Sequence, residues 1–146
     1  MKTITTSIRI DAPAETIWTI LTDAGRYAEW NPFVTQLDGR LAIGERLRVR
    51  IAPPGAKGMS FRPVVTHFVP ERELAWVGTL GVRGLFDGAH SFRVDPLHDD
   101  GCLFTQAESF TGLLVPLLSG TLSKTEEGFE LLNQALRDRA EAMALR

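Results

Sequence analysis

Residues 85 to 111 read L-F-D-G-A-H-S-F-R-V-D-P-L-H-D-D-G-C-L-F-T-Q-A-E-S-F-T, and this stretch decides the fold. Over 85–95, Phe86, Gly88, His90, Phe92 and Val94 fall on one side of an extended chain, and Asp87, Ser91, Arg93 and Asp95 fall on the other. Successive strand side chains point to opposite faces, so the first set turns inward. Over 102–111, Phe104 and Phe110 mark the inner face, and Gln106 and Glu108 share it. His98-Asp-Asp-Gly101 joins the two segments, and an aspartate followed by glycine is a favoured hairpin turn. Three polar groups, His90, Gln106 and Glu108, therefore lie on an otherwise apolar face.

Register sets how close they come. With a loop at 97–101, Pro96 faces Cys102 and His90 faces Glu108, with Cβ atoms roughly 4.5–5.5 Å apart. With a three-residue loop, His90 faces Gln106 and Glu108 is one diagonal away. In both registers an imidazole and a carboxyl are neighbours. A lone buried carboxylate tends to take up a proton, and a nearby imidazolium opposes this. Such a pair can fix the register, hold the polar end of a ligand, or move a proton.

Residues 3–10 alternate as a half-buried strand, with Ile4, Thr6, Ile8 and Ile10 on one face. Asp11-Ala-Pro-Ala-Glu15 reads as a helix start, and Ala14, Ile17, Trp18 and Leu21 form an apolar stripe. Asp23 can cap a second short helix, which Asn31-Pro32 ends. Further strands are expected around 47–51, 60–69 and 73–80, where Leu74, Trp76, Gly78 and Leu80 form the inner set. From Leu118 to Met143 apolar residues step by three or four, the stripe of one long amphipathic helix. Gly128 within it marks a bend or a close contact. Strand, two short helices, antiparallel strands and a long helix make a single α+β domain over residues 1–146.

Composition narrows the partners. Hydrophobic residues make up 44% and charged residues 23% of the 146, and the formal net charge is -2. That balance gives no reason to expect nucleic acid. Arg46, Arg48 and Arg50 alternate on one strand face without interleaved aromatics, which reads as a solvated outer face. Cys102 is the only cysteine, so no intrachain disulfide forms. M-K-T-I-T-T-S-I-R-I-D at 1–11 lacks the apolar stretch expected of a secretory signal, and the apolar run 112–118 is too short to span a bilayer. A cytoplasmic protein without stable membrane insertion is expected, with a homodimer left open. The three histidines lack ligand-like spacing, no phosphate-cradling glycine loop occurs, and neither a metal nor a cofactor is expected.

The chain resembles the START-like, or helix-grip, superfamily (SRPBCC), in its polyketide cyclase/dehydrase-like branch. I-D-A-P-A-E-T-I-W at 10–18, Y-A-E-W-N-P-F at 27–33, G-A-H-S-F-R-V at 88–94 and A-E-S-F-T-G-L-L at 107–114 carry the resemblance. It implies a curved antiparallel sheet of about six or seven strands wrapped around the C-terminal helix, with a mostly apolar cavity between them. Its members include carriers, cyclases and chaperone activators, so fold alone does not assign function. The first expectation is a site for a small hydrophobic or aromatic molecule, lipid, polyketide or isoprenoid-like. His90, Gln106 and Glu108 would meet its polar end. Trp76, Phe86, Phe92, Phe104, Leu122, Phe129 and Leu132 would wall it, with Trp30 and Phe33 as an aromatic gate or simply as core. The second is a cofactor-independent cyclase or dehydratase using His90 and Glu108. The third is an interaction module with a filled core.

Overall fold

The computed structural model describes residues 1–145. The chain runs β1 (Lys2–Ile10), α1 (Ala14–Thr22), a 3-10 turn (Ala24–Arg26), α2 (Tyr27–Trp30), β2 (Val34–Asp38), β3 (Arg48–Ile51) and β4 (Met59–Phe61). It continues with β5 (Val64–Val69), β6 (Glu73–Thr79), β7 (Asp87–Pro96), β8 (Cys102–Thr111), a 3-10 turn (Val115–Leu117) and α3 (Ser119–Ala144). The α+β helix-grip order holds. The strands number eight, divided between a five-stranded sheet in the order β1-β8-β7-β6-β5 and a three-stranded sheet β2-β3-β4.

The division has a chemical cause. Pro63 interrupts the expected strand 60–69 because it cannot donate to a ladder. The segment before it pairs with β3, and the segment after it pairs with β6. The sheets stay joined at this corner by a bridge between Arg46 and Val64 and by Leu47 N–H donating to the Pro63 carbonyl at 2.7 Å. β2 was not foreseen, because its five residues V-T-Q-L-D alternate too weakly. Leu80 lies past the end of β6 and is 40% exposed, whereas Leu74, Trp76 and Gly78 are buried as expected.

The hairpin takes the five-residue loop, and Pro96 faces Cys102. Asp100, not Gly101, adopts the left-handed backbone, with φ of 71°. Side-chain caps foreseen for the short helices are absent. Pro13 stands at the N-cap of α1, and Asp23 pairs with Arg26 at 3.2 Å instead of capping. Asn31 does its work on the following chain: its Oδ1 accepts from the N–H groups of Phe33 and Val34 at 3.0 and 2.8 Å, turning α2 into β2.

α3 lies against this frame through Leu122, Phe129, Leu132, Leu136 and Ala140, all buried. Gly128 permits the approach of Phe33, whose ring occupies the space a side chain there would fill. Phe33 meets Phe129 edge to face, with ring centroids 5.5 Å apart. Replacing a mid-helix glycine by alanine ordinarily stabilises by about 1 kcal/mol. Forcing a methyl into a packed core costs about 1–3 kcal/mol. Phe33 is itself buried, and its ring would have to be pushed off its edge-to-face contact with Phe129, so the clash wins. Gly128→Ala is expected to lower stability by up to about 2 kcal/mol in chemical denaturation. A variant as stable as the parent would contradict this packing.

Candidate functional site

β7 and β8 pair so that His90 faces Glu108 and Phe92 faces Gln106. The cross-strand partner and the hydrogen-bond partner of His90 nevertheless differ. His90 Nε2 lies 3.0 Å from Gln106 Oε1, while Nδ1 lies 3.7 Å from Glu108 Oε1, beyond hydrogen-bond range. The imidazole is stacked between Phe92 and Phe129, at centroid distances of 4.3 and 4.7 Å, with Trp76 edge-on at 5.6 Å.

Gln106 is fully buried and spends both ends of its amide. Nε2 donates to the Phe129 carbonyl at 3.0 Å and to Asn133 Oδ1 at 2.7 Å. Asn133 Nδ2 donates in turn to Thr6 Oγ1 at 3.0 Å. A polar chain thus crosses the core from β1 through α3 and β8 to β7. Asn133 and Thr6 were not singled out from the sequence. Asn133 was findable: it sits four residues after Phe129 and three before Leu136, a polar residue on the apolar stripe.

Beside this chain a partly open cavity of about 150 Å³ lies between the sheets and the start of α3. Its lining includes six of the expected residues: Phe33, Trp76, Phe86, His90, Glu108 and Leu122. Phe92, Phe104, Gln106, Phe129 and Leu132 do not reach it and form the packed core next to it. Trp30 stands elsewhere: it packs on Tyr27 and lines a surface groove with Arg139 and Met143. An aromatic gate at Trp30 is therefore set aside, while Phe33 from the same turn does face the cavity. Met59 and Phe61 of β4 and Phe110 of β8 add walls. The first two were missed because a three-residue strand shows too little alternation to assign a face.

Two glycines make room here. A side chain at Gly78 would press on the Phe61 ring, and one at Gly88 would collide with the Glu108 carboxyl. Glu108 thus lies over Gly88 along the cavity wall, with its side chain 14% exposed. It accepts none of the hydrogen bonds formed among the described residues. Burial pushes its pKa up to about 8. Burial pushes His90 down to about 4, outweighing the hydrogen bond that His90 makes to Gln106. Near pH 6.5 both groups are neutral, since neither gains enough from a 3.7 Å contact to offset desolvation of two charges. The indole N–H of Trp76, also in the lining, is buried without a partner.

Among the described residues no three His, Cys, Asp or Glu side chains gather as metal ligands, and no helix is long and apolar enough to cross a membrane. Cys102 is buried and its thiol is pushed up by burial.

A family described as "Polyketide cyclase / dehydrase and lipid transport" matches residues 1–144. None of the curated proteins matches the chain. Among solved structures, a START superfamily protein from Mycobacterium smegmatis is 25% identical, with a TM-score of 0.72, covering 97% of this chain and 98% of its own. The Zhui aromatase/cyclase from Streptomyces sp. R1128 is 15% identical, with a TM-score of 0.80 over 99% and 96% of the two chains. Norcoclaurine synthase from Thalictrum is 16% identical, with a TM-score of 0.66 over 97% and 95%. The last two likenesses speak for the fold.

The neutral pair has a signature in stability. The folded protein keeps the Glu108 proton from its ordinary pKa of 4.5 up to about 8, so this group makes stability fall as pH rises through that window. His90 stays neutral in the fold from its ordinary 6.5 down to about 4, so its contribution makes stability rise with pH there. The slopes oppose each other between 4.5 and 6.5, and above 6.5 the Glu108 slope stands alone. Denaturation is expected to show a loss of about 1–2 kcal/mol from pH 6.5 to 8, absent in Glu108→Gln. An equal decline in the variant would mean the carboxyl is already ionised at pH 6.5.

Proposed function

The chain belongs to the polyketide cyclase/dehydrase and lipid transport family, and we propose that it binds a small hydrophobic or aromatic molecule in the cavity between its sheets and α3. The observation that carries this reading is an apolar cavity whose only titratable lining groups are His90 and Glu108. Binding pockets are mostly apolar with a few placed polar groups, and this one has that character.

Size narrows the ligand. An apolar space of about 150 Å³ accommodates a single benzene-sized ring. A multi-ring or long-chain molecule would extend through the open side, past Leu80 and Leu118, with one ring or chain end against Trp76 and Phe110. The polar end would take a hydrogen bond from the Glu108 carboxyl.

A second reading, an acid–base enzyme of the cyclase or dehydratase kind, draws on one observation. A neutral carboxylic acid stands 3.7 Å from an imidazole nitrogen inside an apolar space. Glu108 would protonate a carbonyl oxygen as an adjacent C–H loses its proton to His90 Nδ1, giving an enol. In this reading Glu108 is the acid and His90 the base. The interaction-module reading called for a filled core, which the cavity disfavours.

The test is a melting-temperature panel of neutral one-ring and multi-ring aromatics and fatty acyl compounds. A ligand at a hundredfold excess over its Kd adds about 2.7 kcal/mol, or roughly 5–10 °C for a chain of this size. Leu122→Trp, which fills the cavity from α3, is expected to stay folded and abolish the shift. Shifts that persist in that variant would place the ligand elsewhere. Among ligands that bind, turnover lost in His90→Ala with binding retained would favour the enzyme.

A further inference from the structure

Within the proposed ligand site, the buried polar chain decides which atom of His90 carries hydrogen. The backbone carbonyl of Phe129 can only accept. Gln106 must therefore present its nitrogen to it, at 3.0 Å. The second hydrogen of that nitrogen goes to Asn133 Oδ1 at 2.7 Å, and Asn133 is held the same way round by donating to Thr6 Oγ1. The Gln106 oxygen is then left facing His90 Nε2 at 3.0 Å. An amide oxygen cannot donate, so the hydrogen sits on Nε2. A neutral imidazole has one N–H, which leaves a bare lone pair on Nδ1, 3.7 Å from Glu108 Oε1.

An ionised Glu108 would face that lone pair as a second acceptor, with nothing nearby to offset its charge. Among the described residues no lysine or arginine lines the cavity; its remaining polar side chains are Thr79, Thr121, Thr125 and the Trp76 indole. The carboxyl answers this by keeping its proton, which its raised pKa reflects. The acid hydrogen can then turn to Nδ1 or to an oxygen of a ligand.

We propose that Gln106 and Asn133 are positioning residues that hold His90 as the Nε2–H tautomer, and that the cavity consequently selects an uncharged ligand bearing a carbonyl or hydroxyl oxygen over an organic anion. The ligand half of this inference rests on the binding function proposed above; the tautomer half does not. A carbonyl oxygen accepts from Glu108. A hydroxyl can accept from it as well. A carboxylate of the same shape would enter an apolar space with no cation to meet it.

The test has two independent arms. In the first, the ligand-free protein is labelled with 15N-histidine and its ring nitrogens are read by NMR at pH 6.5. His67 and His98 are exposed, which separates their signals from that of the buried His90. His90 is expected to show a pyrrole-type Nε2 and a pyridine-type Nδ1. Gln106→Leu is expected to convert it to the Nδ1–H form or to a mixture. Should that variant fail to fold, Asn133→Ala, which keeps Gln106 in place, is expected to show a measurable Nδ1–H fraction. A pyrrole-type Nδ1 in the parent protein would overturn the tautomer assignment. A tautomer unchanged in a folded Gln106→Leu protein would overturn the positioning roles.

In the second arm, acetophenone and benzoate, two one-ring probes of nearly equal size, are titrated at pH 6.5. Acetophenone is expected to bind at least tenfold more tightly. Benzoate binding as tightly or more tightly would overturn the selection. If neither probe binds, the selection falls together with the cavity reading, and the NMR arm still decides the tautomer.

Discussion

A side-chain amide placed in an apolar interior is stabilised by finding partners there, because a polar group left unpaired costs about 1–3 kcal/mol. Gln106 is such a group, with no exposure to solvent. Its partners come from three elements: His90 on β7, and the Phe129 carbonyl and Asn133 on α3. Asn133 extends the chain to Thr6 on β1. This one requirement sets the height of α3 over the central strands. It also marks a boundary: Phe92, Phe104, Phe129 and Leu132 pack densely around the chain, and the cavity begins beyond His90.

The cavity exists because several local choices withhold atoms from that space. Gly78 and Gly88 lack the side chains that strand positions normally supply, and Phe61 and Glu108 lie over them. Pro63 turns the chain from one sheet into the other, which carries β3 and β4 across as a side wall. Gly128 lets Phe33 sink against α3, where it lines the cavity. The space is closed by aromatic and aliphatic surface, and that surface explains why both His90 and Glu108 are driven towards their uncharged forms. A pair of neutral dipoles in an apolar pocket can orient a ligand, or exchange a proton with it, without the cost of burying charge.

The hairpin was legible in the sequence because each strand had enough alternating residues to fix a face, and two facing strands constrain each other's register. His90 opposite Glu108 followed from the five-residue loop. The hydrogen bond to Gln106 did not follow, because register fixes backbones and a long side chain chooses among neighbours by its own competing bonds. Trp30 was misleading for a related reason. Its neighbour Phe33, three positions on, faces the interior, but the Asn31 turn sends the two aromatics to different surfaces. The wall from β4 was hidden because strands of three residues carry no readable period. The stripe on α3 was plain, and Asn133 within it carried a signal that only its partners interpret.

Whether the cavity holds a ligand is read by native mass spectrometry of freshly purified protein, followed by denaturing extraction and identification of what is released. A stoichiometric adduct is expected, carried mainly by the cavity, that yields a small apolar or aromatic compound with a carbonyl or hydroxyl oxygen and is missing from Leu122→Trp. A bare mass under gentle conditions, with no adduct forming after incubation with neutral aromatics, would contradict it. His90 and Glu108 would then be features of the sheet, held beside a void that nothing occupies.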